Sequence, residues 1–239
     1  MDKECVRARF SRSLDSYDHA ATVQRSMARR LCELLPARPY PRVLEVGCGT
    51  GVCTAMLASS LTFAHFTAND LVPQCAAHIR RILPQATFMA GDIDSLELTE
   101  DYALIVSNAC LQWSKGLAAT LTRLLARLSP GGVLACSLFG PENFREVQEI
   151  FGAGLAYPSL QQLRQYMAPH TLLALEEERR TLCFDSLLDI LRHMRDTGVN
   201  AFGGGGMSTA ALRRTEQRYR ERFGLRLTYH PVYLVAQKR

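Results

Sequence analysis

The chain has 239 residues, enough for one α/β domain with a sizeable core plus a small insertion. Hydrophobic residues make up 47% and charged residues 21%, ordinary for a soluble globular protein, and no apolar run reaches the ~20 residues that span a bilayer, which argues against a membrane protein. Net charge is +5, from 28 Lys+Arg against 23 Asp+Glu, too mild to argue for a nucleic-acid binder.

The first residues, Met-Asp-Lys-Glu-Cys-Val-Arg, are charged and lack the apolar core of a signal peptide. Eight cysteines are scattered without a C-x-x-C pair, so reduced thiols in a cytoplasmic protein are expected, with no metal site. Ala20, Val23, Met27, Leu31 and Leu34 recur at helical spacing and predict an N-terminal helix over 16–36, ended by Pro36, Pro39 and Pro41. Strands and helices then alternate. Strands are expected at 42–46, 63–68, 87–90, 102–107 and 133–139, and helices at 51–61, 72–83 and 117–128. Such alternation implies a doubly wound α/β sheet, Rossmann-like, with helices on both faces. After Phe139 the pattern changes to helices at 142–151, 159–166, 186–195 and 209–223, with a strand-like segment at 174–184 and a last strand at 225–237. The whole chain reads as one domain in which helices between 140 and 223 cap a ligand crevice. Gly203–Gly206 is either a hinge for that cap or a plain surface loop.

Residues 43–51 read Val-Leu-Glu-Val-Gly-Cys-Gly-Thr-Gly, an apolar strand running into glycines 47, 49 and 51. Glycine lets backbone approach a ligand closely, and the following helix offers unpaired N–H groups. A dinucleotide fingerprint needs its third glycine one place later, where Val52 stands, which argues against a nicotinamide-dependent oxidoreductase. Asp70 ends the second strand, where a carboxylate can accept both hydroxyls of a ribose; capping the next helix is its alternative. Asp92 follows the third strand and can take an exocyclic adenine amine while Ile93 packs on the ring; a turn aspartate is the alternative. Asn108 ends the fourth strand and faces the reaction centre. Glu45 either anchors a ligand ammonium or staples the loop.

The G-x-G-x-G segment after an acidic residue resembles the class I S-adenosylmethionine (SAM) methyltransferases. That resemblance implies cofactor contacts from Glu45, Gly47, Cys48, Gly49, Gly51, Asp70, Leu71, Asp92, Ile93 and Asn108, and a seven-stranded sheet whose last strand is antiparallel. Further blocks narrow it: Phe10 to Tyr17 with Gln24, Ser107-Asn108 with Gln112-Trp113, Thr197-Gly198-Val199-Asn200, and Leu227-Thr228-Tyr229-His230. Together they resemble the malonyl-acyl-carrier-protein O-methyltransferases of biotin synthesis, over nearly the whole chain. The resemblance implies transfer of a methyl from SAM to the free carboxylate of malonyl-acyl carrier protein. S-adenosylhomocysteine and the methyl ester that starts pimeloyl synthesis are left. A carboxylate is already a nucleophile, so no general base is expected and orientation supplies most of the acceleration. Arg145 is the candidate for gripping that carboxylate, a helix-surface ion pair being its alternative, and Tyr17 and Trp113 are candidates for the pocket wall. Basic residues Arg25, Arg29, Arg192, Arg195 and those between Arg213 and Arg222 would dock the acidic carrier. Methylation of a small hydroxyl, amine or carbon acceptor stays open, as does a binding protein with a degenerate nucleotide fold.

Overall fold

The computed structural model describes residues 3–152, 154–199 and 208–239. The glycine run 203–206 and Asn200, both singled out in the sequence, lie outside these residues.

Two helices open the chain, α1 (Lys3–Ala20) and α2 (Thr22–Glu33). The single helix expected from residue 16 is therefore two, meeting at Ala21, and the first begins thirteen residues earlier. Across the joint the Ala21 N–H donates to Tyr17 O and the Arg25 N–H to Ala21 O, so helical bonding continues through a change of direction. Apolar periodicity missed α1 because Val6, Phe10 and Leu14 are its few large apolar residues, set among Arg7, Arg9 and Arg12.

The main sheet follows. Strands β1 (Arg42–Val46), β2 (His65–Asp70), β3 (Thr87–Ala90), β4 (Tyr102–Asn108) and β5 (Leu128–Phe139) pair in parallel. Helices α3 (Val52–Ser60), α4 (Cys75–Ile82) and α5 (Leu117–Ala126) connect them. Parallel strands covered on both faces must be apolar along their length. Accordingly Val43, Leu44, Val46, Leu104, Ile105 and Val106 are all fully buried.

Two expected strands are each broken. The 174–184 segment forms β6 (Thr171–Glu177) and β7 (Arg180–Cys183), and the terminal segment forms β8 (Arg226–Tyr229) and β9 (Pro231–Gln237). β6 pairs antiparallel with β9 in the main sheet, and β7 with β8 in a separate two-stranded ribbon. Pro231 has no N–H to give a ladder, and the chain bends there from ribbon to sheet. His230, at the bend, is held instead by Asn143 Oδ1 on its N–H and by the Gly140 N–H on its carbonyl.

The sheet order is β3-β2-β1-β4-β5-β9-β6, with β9 antiparallel to both neighbours. This is the expected seven-stranded doubly wound sheet. The chain reverses direction of travel between β1 and β4, and open α/β sheets bind ligands outside the carboxyl ends of strands at such a switch point.

Three apolar clusters hold the layers. Leu121, Leu124 and Leu125 of α5 pack on one face with Leu163 of α7 (Leu160–Tyr166). Leu31 of α2, Leu57 of α3 and Ile79 of α4 pack on the other. The third joins Val23 and Met27 to Phe139 and Phe144, to α8 (Leu187–Asp196), α9 (Thr209–Phe223) and the ribbon. Not every helix after residue 139 caps the crevice. α7 lies against α5 and β6, and α6 (Arg145–Phe151) lies against α9 and β8.

Candidate functional site

A cleft of about 1230 Å³, mouth included, lies at the carboxyl ends of β1, β2 and β4 beneath α1 and the start of α2. Its floor is the turn after β1. Gly47 has φ +73°, and a Cβ there would lie 2.1 Å from Cys110 Sγ, so only glycine lets this turn pass the end of β4. At Gly49 a Cβ would sit 3.1 Å from Cζ of Phe10, because the Phe10 ring of α1 lies directly over the turn.

Asp70 reaches the same turn from β2. Its Oδ2 accepts the Gly49 N–H and its Oδ1 the Val72 N–H, each at 2.8 Å. Burial holds its carboxyl above the usual range, while those N–H groups work in the opposite sense. The Cys75 thiol and the Leu71 N–H also bond this carboxylate, so a hydroxyl in the cleft would share an oxygen with them or displace one. Asp92, with Ile93, lines the cleft after β3. Its Oδ1 meets Lys3 Nζ at 2.9 Å, and Lys3 also meets Asp94 Oδ2 at 3.0 Å. Burial alone would lower the Lys3 ammonium, but the two carboxylates hold it above its ordinary value. An ammonium from the first turn of α1 thus stands where the sequence placed an adenine amine.

Glu45 is 1% exposed and is not part of the cleft wall. Thr54 Oγ1 donates to its Oε2 at 2.6 Å, tying β1 to α3, and burial pushes its carboxyl up to about 7. Gly51 likewise stands behind the wall, starting α3 with φ +90°. Cys48, Leu71, Asn108, Trp113 and Tyr17 do line the cleft. The Asn108 side chain is committed on both sides: Nδ2 donates to Gln24 O at 3.1 Å, and Oδ1 accepts from Ser137 Oγ at 2.6 Å. Tyr17 packs edge-on against Phe10 with ring centroids 5.1 Å apart, and burial raises its phenol.

Arg145 is a correction. It is exposed at the first turn of α6, outside the cleft, with Nη1 3.5 Å from Glu142 and Nε 3.5 Å from Glu146. Phe144 before it takes a left-handed conformation, φ +56°, and buries its own ring against Tyr229, which leaves Arg145 on the outer side.

Several cleft residues were not assigned there from sequence. Lys3, Arg7, Phe10 and Gln24 come from α1 and α2, and Thr197, Gly198 and Val199 from the end of α8. Phe10, Tyr17 and Gln24 are seven apart, a spacing that keeps residues on one helical face, and that period was the available signal. Two buried amide oxygens in this lining, Gln24 Oε1 and Gln112 Oε1, have no hydrogen-bond partner among the described residues. Buried polar atoms without partners are rare and point to something that completes them.

The arrangement is a glycine turn, two strand-end carboxylates and unspent amides around one cleft at the switch point. A family model described as a methyltransferase domain matches residues 43–132, the part holding the turn, Asp70 and Asp92. By overall shape the chain is similar to the N-methyltransferase NodS of Bradyrhizobium japonicum, solved with S-adenosyl-L-homocysteine. The TM-score is 0.55 at 16% identity, covering 90% of this chain and 86% of that one, and it speaks for the fold. Sequence likeness goes further. The malonyl-acyl-carrier-protein O-methyltransferase of Chlorobium luteolum is 36% identical over 100% of this chain and 96% of its own length. That of Porphyromonas gingivalis is 35% identical over 99% and 96%. Likeness at this level from end to end, on a class I methyltransferase sheet with its ligand cleft at the switch point, means that the chain belongs to the malonyl-acyl-carrier-protein O-methyltransferase family.

Proposed function

We propose that this enzyme transfers a methyl group from SAM to the free carboxylate of malonyl-acyl carrier protein, giving the methyl ester from which pimeloyl synthesis starts. The observation that carries the reading is the cleft itself. Its lining brings the glycine turn, Asp70 and Asp92 together with Tyr17, Gln24 and Trp113, and Arg25 at its border; in this reading the first group would take the donor and the second the acceptor. The residues present fit the donor: the Asp70 carboxylate at the strand end would take ribose hydroxyls, Asp92 Oδ2, the oxygen that Lys3 does not hold, and Ile93 would meet an adenine edge and face, and the Gly47–Gly49 backbone leaves room no Cβ would leave. Glu45 acts from behind, through Thr54, by fixing the turn to α3.

SAM supplies, when bound, an electrophilic methyl on a sulfonium that departs as a neutral thioether. A carboxylate acceptor would form the new O–C bond with its own lone pair as the C–S pair went to sulfur, so no residue of this chain would need to move a proton. The chain's work is therefore to orient the acceptor and exclude water. Phe10 roofs the turn with Tyr17 packed edge-on against it, and Trp113, also in the lining, would wall the acceptor side. The acyl group would arrive on the phosphopantetheine arm of carrier protein, entering at the mouth. None of the eight cysteines is in a disulfide, which suits the reducing cytoplasm.

Malonyl-carrier protein incubated with enzyme and SAM should gain one methyl by mass spectrometry, removable by a carboxyl-ester hydrolase. Transfer to small hydroxyl or amine acceptors in place of the carrier would overturn the assignment.

A further inference from the structure

With Arg145 outside the cleft, the group that reads the acyl carboxylate has to be found elsewhere. We propose that the side-chain amide of Gln24 holds the acceptor carboxylate, as a neutral donor rather than a cation; this deepens the function proposed above and rests on it.

Gln24 sits in the first turns of α2 at 5% exposure, facing the carboxyl end of β4. Its backbone is fixed there by the Asn108 amide, which Ser137 fixes in turn, so the side chain projects from an anchored point beside the switch point. The anchoring consumes the hydrogen bonds of Asn108 and leaves Gln24 with a buried Oε1 that nothing in the described protein satisfies. The other end of the amide bonds the Tyr229 hydroxyl, which can donate as well as accept, so an amide turned by 180° about its last bond keeps that partner and presents N–H where the oxygen stood. That position therefore offers a donor to an anion as readily as an acceptor to a hydroxyl.

A neutral donor suits the chemistry better than a guanidinium. An arginine clamp takes both carboxylate oxygens and withdraws charge from the one that must attack. A single amide N–H can hold the non-attacking oxygen and leave the other with its lone pairs facing the methyl. The nearby cation on α2, Arg25, also borders the cleft, but it is exposed and turned back onto the Asp18 carbonyl, to which it donates at 3.0 Å; Arg25→Ala, tested beside the Gln24 variants, should leave KM unchanged, and a rise as large as theirs would assign the grip to the cation instead.

The test is Gln24→Met, which keeps the length and apolar bulk, with Gln24→Ala beside it. Loss of one hydrogen bond to a charged group predicts a rise in KM for malonyl-carrier protein of about 10- to 100-fold. The affinity for SAM by calorimetry and inhibition by the neutral methyl-ester product should stay as in the wild type, and Arg145→Ala should leave KM unchanged. A merely structural glutamine would weaken SAM, product and substrate together, and that result, or an unaltered KM, overturns Gln24 alone. A wild-type enzyme with no transfer to malonyl-carrier protein overturns the functional reading and the assignment with it.

Discussion

At the end of β2 one carboxylate holds two stretches of backbone in place, the Gly49 N–H and the Val72 N–H. Asp70→Ala leaves both donors buried, costing about 2 kcal/mol of stability. SAM affinity should fall at least tenfold beyond that, roughly the loss of a charge-assisted acceptor. Thermal unfolding and calorimetric titration separate the two effects, and a variant that binds SAM as the wild type does would remove Asp70 from the cofactor site. Glu45 makes a different prediction. Burial raises its folded carboxyl to about 7 from an ordinary 4.5, so the folded state holds the proton more tightly than the unfolded chain. The stability this contributes is full below the unfolded value and is lost as pH rises through about 7, an amount of about 3 kcal/mol. Glu45→Gln keeps an acceptor for Thr54 and has no proton to lose. Its unfolding temperature should exceed the wild type's at pH 8 and change less between pH 5 and 8; a variant with the wild-type slope would clear Glu45 as the cause.

Among elements, α1 has the largest functional consequence and the weakest sequence signal. Along α1 and α2 the residues Lys3, Arg7, Phe10, Tyr17, Ala21 and Gln24 all face the cleft at spacings of three, four or seven. The stripe is polar at both ends, which is why a search for apolar periodicity passes over it. At its outer end Lys3 clamps Asp92 and Asp94, while at the inner end Arg30 of α2 bonds Glu176 of β6 at 2.7 Å. Lys3 thus ties the outer end to the loop after β3, and Arg30 ties the inner end to the sheet edge. Phe10→Ala removes the ring over Gly49 and should speed loss of bound SAM about tenfold, in line with the burial given up by one aromatic side chain. Trypsin cleavage at Arg7, Arg9 and Arg12 should slow when SAM is added to the wild type. Cleavage indifferent to SAM would mean that α1 does not cover the cofactor.

For the whole molecule the question is where an acidic carrier would meet it. Arg192, Arg195, Arg220 and Arg222 are already paired with Asp189, Asp196, Glu216 and Glu149. Arg213, Arg214 and Arg218, exposed on α9, form no ion pair among the described residues and keep their charge for a partner. Reversing these three should raise KM for malonyl-carrier protein several-fold, more at low salt than at high, and spare a small malonyl thioester. Equal loss with both substrates would refute a docking role. By itself the chain's sequence determined the central strands, their doubly wound order, the glycine turn and the acidic residues at strand ends. These are fixed by local patterns: apolar runs, helical periods, and residue types that few backbones tolerate. Only the tertiary structure decided that Arg145 faces outward, that Glu45 serves the loop from behind, that the two late strands bend into a ribbon at Pro231, and that α1 roofs the cleft. Each of these depends on which face of an element meets a partner far along the chain. Residues such as Asn108 and Gln24, 84 apart in sequence, disclose their contact only once β4 and α2 are packed together.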